Sequence, residues 1–556
     1  MRSYRFCILA LLLLLTPILS GQSLLLAPPV PVPAGLPVIP AEQRARMDRD
    51  LLEITIPQLR ELYAQGKYTV TDVTHWHMDR IGRYNPIYRA VQTVDVDGAL
   101  ATSRREDREK GGTRGPLWGV PVLVKANTAV KGLLDTDGWQ GFAIPGHEFI
   151  ADKDATVIAK LRAAGAVIIG VTNMPDFAGS FTTRSTAFGR TGNAYDVRFS
   201  PGGSSGGTVT AITSNMAILG TGTDTGDSIR MPSGTSALVG LMPTRGLVSI
   251  AGIAPLDWLR DNAGPIARDV TDVAIALDVM AGEDPLDFKT AGSTTKAQPG
   301  PYTQYLKTGA LRGKRFGVPA FIFTGPGESL RAETRAMLMK AVDAFRAAGA
   351  EVVIDDALLP AAFLNNQRKV DTRRYRKDGA DQWLAEFGPA QYRTGDAYTK
   401  VTGVAWPATF SGAPRDNAQG PPAPPQVILK ADPEAEANYF APQRASLAEY
   451  TGALDRFRLD GLIYPSAQMP PPDETMAQDG QLSSGPRSIS GWANVIGVPA
   501  IVVPAGFYPS GLPFGLEISA RPWRDGDLLG FAYAYEQATK LRKPPVLVEQ
   551  GLLPAR

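Results

Sequence analysis

The chain of 556 residues has one cysteine, Cys7, and three histidines, His75, His77 and His147. Cys7 lies in the apolar segment that opens the sequence, so the body of the protein has no thiol. That absence excludes disulfides, cysteine-based zinc sites and a cysteine nucleophile. His75 and His77 are two apart in a helical pattern and point to different faces, so they do not make a metal pair. No metal site and no cofactor are expected. An excess of charge is missing too. Lys and Arg number 57 against 55 Asp and Glu, and the count is even once Arg2 and Arg5 are set aside. An even balance lacks the basic field that a nucleic acid or an anionic membrane calls for. With 44% apolar and 20% charged residues, a disordered chain and a coiled coil are also excluded.

Only one long apolar run occurs, residues 6–15 (FCILALLLLL), after the basic residues 1–5 and before the small pair Ser20 and Gly21. This is the layout of a secretory signal peptide over residues 1–21, too short to span a bilayer. It predicts a periplasmic or secreted protein with no stable membrane insertion after cleavage. Residues 22–45 are Pro-rich and read as a linker. Residues 46–556 read as one domain.

Within that domain two amphipathic helices are expected between Leu51 and Tyr84, broken near Gly66. Asp154 is expected to cap a helix running to Ala164 and stopped by Gly165, ahead of the strand Ala166 to Ile169. Arg315 to Pro319 reads as a buried strand. Ser329 to Ala348 reads as a helix feeding the strand Glu351 to Ile354. Alternating helix and strand units predict an α/β fold with helices on both faces of a sheet. Residues 285–312 and 405–433 read as loops, the second rich in Pro and Gly.

The chemistry is concentrated between Ser200 and Gly234, which opens with SPGGSSGG (200–207) and closes with GTDTGDSIRMPSG (222–234) around a small-residue helix expected at 208–219. Clustered glycines permit backbone angles and close approaches closed to other residues. GGSSGG contains G-x-S-x-G, but all three histidines precede it, so the order serine, acid, histidine of α/β-hydrolases is not met. Ser293 to Lys296 and Lys307 to Gly309 imitate the S-x-x-K and K-T-G elements of penicillin-binding proteins, yet they sit too close together in one polar loop. A lysine remains as a base for a serine, provided burial keeps it neutral. Lys125 ends the apolar run Gly119 to Val124 and is the candidate.

These pieces together resemble the amidase signature family. Gly115-Pro-Leu-Trp-Gly-Val-Pro-Val-Leu-Val-Lys125 is similar to its lysine motif, and residues 200–207 and 222–233 to its core signature. Leu241 to Gly246, Asn262 to Arg268 and the closing stretches Asn494 to Gly506 and Gly511 to Leu516 follow in the family's order. The resemblance spans about Leu51 to Leu547. It implies one large α/β domain with a mixed central sheet. It also implies a triad of Lys125, a cis-peptide Ser204 and the nucleophile Ser228, with an oxyanion hole from the backbone N–H groups of Thr225, Gly226, Asp227 and Ser228. Ser205, Asp224 and Arg230 are implied as supports of that machinery, and Ala178, Gly179 and Ser180 as lining of the acyl pocket.

Two positions depart from the family pattern. Asp227 stands where a second glycine is common, a tolerable change at positive φ, although its carboxylate is expected to repel anionic acyl groups. Ala126 replaces the usual Asp after the lysine. The resemblance implies an exported amidase that hydrolyses a carboxylic or aryl amide, with a small-molecule amide as partner and the oligomeric state left open. Its alternatives are the glutaminase subunit of a tRNA-dependent amidotransferase and an inactive binding protein on the same fold. Substrate selection is assigned to residues 355–485, where Trp383, Phe387, Trp406, Phe410 and Tyr439 supply aromatic surface.

Overall fold

In the computed structural model eleven strands make one mixed sheet. They are β1 (Val91–Val94), β2 (Val120–Lys125), β3 (Ala166–Thr172), β4 (Leu219–Asp224), β5 (Val239–Met242), β6 (Asn262–Ala267), β7 (Arg315–Val318), β8 (Glu351–Ile354), β9 (Gly461–Pro465), β10 (Ala500–Phe507) and β11 (Pro513–Ala520). The structure describes residues 30–109, 114–324, 330–411, 424–475 and 485–545. The signal-peptide expectation and the centre of the 405–433 loop lie outside the described residues.

Spatial order across the sheet is β1-β3-β2-β4-β6-β5-β10-β11-β9-β7-β8. β2 runs parallel to both β3 and β4, and β9, β7 and β8 are parallel at the far side. The pairs from β4 through to β9 are antiparallel. β2, β3, β4 and β6 are buried along their whole length, which is why they read as unbroken Val, Ile, Leu and small-residue runs. Helices flank the sheet: Val70–Tyr88 packs on β2 and β3, and Asp525–Thr539 on β10 and β11.

The sequence expectations hold for β2, β3, β7, β8 and the helix Ala332–Ala347 feeding β8. The break near Gly66 separates helices Ile56–Ala64 and Val70–Tyr88, each opened by a capping box, on Thr55 and Thr69. Four readings are corrected. The linker ends early, because a helix begins at Ala41 and buries Met47 and Leu51, while Leu36 and Ile39 already join the core. Asp154 caps no helix. Its carboxylate accepts from Lys131 N and pairs with Arg162, and the helix Thr156–Ala163 starts without a side-chain cap. The helix expected at 208–219 is Gly206–Thr213. It stops short of Asn215, which takes φ 60°, and the chain then enters β4. The polar stretch 285–312 contains three short helical turns rather than loop alone.

Candidate active site

Because β2 and β4 are adjacent and parallel, Lys125 at the last position of β2 and Thr223-Asp224 at the end of β4 reach the same edge of the sheet. Sites of open α/β sheets gather at such carboxyl ends. The Gly-rich stretch ahead of the helix Gly206–Thr213 arrives there from the side. Gly203–Ser204 is a cis peptide, as the resemblance implies. A Cβ on Gly203 would stand 2.5 Å from Thr182 O and 2.7 Å from Ser180 O, so only glycine lets the 180–182 backbone lie over this turn. The stretch Ala178 to Ser180 is thereby placed beside Ser204. Phe177 and Ala178 both hold positive φ, 55° and 53°, a strained arrangement of the kind that clusters at ligand sites.

Lys125 is fully buried. Its Nζ lies 2.7 Å from Ser204 Oγ, 2.7 Å from Thr223 Oγ1 and 3.3 Å from Thr223 O. Asn127 Nδ2 donates to the same Thr223 hydroxyl at 3.0 Å. Burial lowers the Lys125 ammonium to about 7, against the opposing pull of Asp137, Asp224 and Asp261. A neutral amine has two N–H groups and one lone pair. With its two N–H groups committed to the oxygens of Thr223, its lone pair faces the Ser204 hydroxyl.

Ser228 keeps 5% of its surface exposed. Its carbonyl accepts from Ser205 N at 3.2 Å, which docks the residue against the Ser204–Ser205 turn. The Ser204 and Ser228 hydroxyls share no hydrogen bond with each other. Such bonds often tighten only when substrate arrives.

Asp224 organises the loop between these serines. Its carboxylate accepts from Asp227 N (2.6 Å), Ile229 N (3.0 Å), Arg230 Nε (3.0 Å) and Asn494 Nδ2 (2.9 Å). Burial acts to raise it, but Arg230 and these donors hold it down at about 2. One oxyanion assignment is corrected here. The Asp227 N–H is committed to Asp224 and is not free for a substrate oxygen. The N–H groups of Thr225, Gly226 and Ser228 have no hydrogen-bond partner among the described residues. A Cβ on Gly226 would meet nothing within 4 Å, so open space lies in front of that loop.

Asp227 holds φ 114°. Its side chain is fully buried and turned toward Arg230, 3.7 Å away, so the expected repulsion of anionic acyl groups is not its role. Arg230 also binds Glu517 through Nη1, and Ser490 and Asn494. Three buried carboxylates therefore face one guanidinium. Burial, then the neighbouring carboxylates against the pull of Arg230, drives Asp227 well above the usual carboxylate range, and burial raises Glu517 as well. At Ala126, the missing carboxylate has a substitute in space: Asp137 N donates to Ala126 O at 2.7 Å, and Asp137 is the strongest carboxylate influence on Lys125.

Sequence reading missed Thr223, Asn127, Asp137, Asp261, Asn494 and Glu517. Thr223 and Asn127 sit within or beside the motifs already quoted and are recognisable only once β2 and β4 are paired. Asp261 accepts from Thr225 Oγ1 at 2.5 Å, and burial raises it to about 6. His77 is a buried structural residue, lowered to about 3 by desolvation, with Nδ1 3.2 Å from Asn215 O. Among the described residues no cluster of potential metal ligands occurs.

The Amidase family model matches residues 72–529. The chain belongs to the amidase family. Curated relatives include the A subunit of the glutamyl-tRNA(Gln) amidotransferase from Symbiobacterium thermophilum, 31% identical over 90% of this chain and 99% of that protein. The protein of the same name from Roseiflexus castenholzii is 30% identical over 88% and 96%. Among solved structures, the native peptide amidase of Stenotrophomonas maltophilia superposes with a TM-score of 0.71 at 29% identity, covering 89% of this chain and 98% of that one. An amidase family protein from Bacillus anthracis shares the fold, with a TM-score of 0.74 at 24% identity over 91% and 95%. This amidase is accordingly an enzyme of the class that hydrolyses amide C–N bonds.

Proposed function

We propose that this amidase cleaves a linear amide through an acyl-enzyme on Ser228, with Lys125 as base and Ser204 as the relay between them. The observation that carries the reading is the 2.7 Å contact of a fully buried lysine with Ser204 Oγ, in a site without histidine. In the first half-reaction Ser228 Oγ bonds to the amide carbon as its proton passes to Ser204 and the Ser204 proton to Lys125 Nζ. The oxygen of the tetrahedral adduct is held by the N–H groups of Thr225, Gly226 and Ser228. The C–N bond then breaks while the proton returns along the same relay to the departing nitrogen. Water adds to the acyl ester by the reverse use of the relay, giving acid and free Ser228. With Lys125, Ser204 and Ser228 all present, an inactive scaffold is disfavoured. Labelling of Ser228 by a fluorophosphonate, lost in Ser228→Ala, tests the reading; a Ser228→Ala protein with undiminished turnover removes it.

A second reading, the glutaminase subunit of a tRNA-dependent amidotransferase, is favoured by the name carried by the curated relatives. In that case the acyl group is glutamyl, the ammonia goes to a tRNA-bound acceptor, and other protein subunits are the partners. The even charge balance and the opening apolar segment support a free-standing exported enzyme instead. Purified chain that hydrolyses carboxamides without other subunits favours the first. Glutamine hydrolysis that appears only with partner subunits and glutamyl-tRNA favours the second. N-terminal sequencing of exported protein tests the cleavage expected near residue 21, and material beginning at Met1 contradicts it.

A further inference from the structure

β2 ends in a tight turn. Thr128 N donates to Lys125 O at 3.0 Å, so Ala126 and Asn127 are the two residues at its crest. Three neighbours fix the backbone of that turn. Ala126 N donates to Thr172 O at the end of β3, Asp137 N donates to Ala126 O, and Ala254 N donates to Asn127 O at 2.8 Å. Asn127 is buried, and its side chain reaches across to β4, where Nδ2 donates to Thr223 Oγ1 at 3.0 Å. The other end of the amide, Oδ1, accepts from Thr128 Oγ1 at 3.4 Å.

The contact with Asn127 acts on the χ1 angle of Thr223. According to χ1, a threonine turns a hydroxyl, a methyl group or a hydrogen toward a given side. With Oγ1 held by Asn127, the same oxygen lies 2.7 Å from Lys125 Nζ, and Thr223 O stands 3.3 Å from that nitrogen. Thr223 thus supplies both oxygens that take the N–H groups of the neutral amine and leave its lone pair for Ser204 Oγ, 2.7 Å away. Another χ1 rotamer would set the methyl group against the amine, which could then turn an N–H to Ser204 instead. The charged groups acting on Lys125 are Asp137 behind the turn, Asp224 on β4 and Asp261 ahead of β6, and Asp224 is matched by Arg230. All three carboxylates favour the ammonium form. Asn127 is uncharged, so it directs the hydroxyl without strengthening that field.

We propose that Asn127 is a positioning residue of the hydrolysis: its amide selects the Thr223 rotamer that aims the Lys125 lone pair at Ser204, and does so without placing a further charge beside the base. This inference rests on the proposed acyl-enzyme reaction and assigns Asn127 no contact with the reacting atoms. The test follows the rate at which a fluorophosphonate labels Ser228 in the full-length protein as a function of pH, because that attack uses the same relay and requires no choice of amide. Asn127→Leu removes the donor and is expected to lower the rate roughly tenfold to a hundredfold at every pH, as a misaimed reacting group does. Asn127→Asp keeps the shape and still bonds the Thr223 hydroxyl, now as an acceptor. Its rate at high pH stays within about threefold of the parent, while the added carboxylate moves the limb upward by about one pH unit or more. In Thr223→Val there is no hydroxyl to direct, so adding Asn127→Leu costs less than about a further threefold. Urea unfolding checks that each variant is folded, and if Asn127→Leu is not, the limb of Asn127→Asp decides. An Asn127→Leu rate within about threefold of the parent, losses that multiply in the double variant, or an unmoved limb in Asn127→Asp each overturn the assignment; a residue that only packs would lower stability and leave the limb where it was. A parent protein that is not labelled at Ser228, or a Lys125→Met protein labelled at the parent's rate, removes instead the reaction on which the assignment rests.

Discussion

Replacing Lys125 by Met tests the claim that the protein holds a neutral lysine, and it does so through stability as well as rate. The lysine is fully buried, and burial lowers it from 10.5 to about 7. Between those values the unfolded chain binds one proton more than the folded one at this site. Stability therefore rises with pH there, by about 1.4 kcal/mol per pH unit. Below about pH 7 both states are protonated and the contribution is flat. The Met variant lacks this term, while every other titrating group is shared and cancels in the difference. Measured by urea unfolding, the stability of the parent protein relative to Lys125→Met is expected to climb by about 4 kcal/mol from pH 7 to pH 10. Over the same range the parent's turnover should rise through a limb near pH 7 and then hold, and the variant should lose several orders of magnitude in kcat. Lys125→Arg should be almost as inert, because a guanidinium keeps its proton at working pH. Parallel stability curves for parent and Met variant would refute the reasoning, since they would mean that Lys125 titrates alike in the folded and unfolded chains.

Thr223→Val should reduce kcat/KM by roughly tenfold to a hundredfold, since it strands a Lys125 N–H and frees the lone pair to turn away from Ser204, and Thr223→Ser should restore most of the loss. Asp227→Asn should raise the thermal midpoint more at pH 8 than at pH 5; the raised native carboxyl makes the parent lose stability as pH rises above the ordinary Asp value, and equal gains at the two pH values would contradict it. Arg230→Leu should cost about 3–5 kcal/mol or prevent folding, because three buried carboxylates lose their common cation, as chemical denaturation of any soluble product would show.

The parts of the site legible in the sequence are those carried by contiguous motifs that resemble the family's. Lys125 stands at the end of an apolar strand, and the serines sit in glycine-rich stretches that take their roles from the resemblance to the family's core signature. Both are local signals, and the fold places all three residues at one sheet edge. What sequence could not supply is adjacency across the sheet. Thr223 becomes the partner of Lys125 only because β2 and β4 are neighbours, and Glu517 meets Arg230 only because β11 passes beneath the loop 287 residues further on. Asp154 shows the opposite failure: a sound local cap signal lost to tertiary competition, because a backbone N–H and an arginine reached its carboxylate first.

Asp227 joins these two lessons. Read locally, it is a polar residue at a position of positive φ next to Ser228, the proposed nucleophile, with a charge that would face the substrate. In the fold its N–H is taken by Asp224 and its carboxyl is directed to Arg230, so neither of its polar groups serves the oxyanion. The remaining donors, at Thr225, Gly226 and Ser228, are fixed by the residues around them. Thr225 is held by Asp261, the Ser228 carbonyl is held by Ser205, and Ile229 N is held by Asp224. A buried ion cluster of this kind is a poor source of net stability. What it can do is hold a loop in one backbone geometry before substrate arrives, and that preorganisation is the larger part of how fixed dipoles stabilise a developing oxyanion. Burial thus acts in two ways around the loop: Asp224 keeps its charge because Arg230 and its other hydrogen-bond donors meet it, and Lys125, with no carboxylate in contact among the described residues, is pushed toward the neutral form that the proposed base requires.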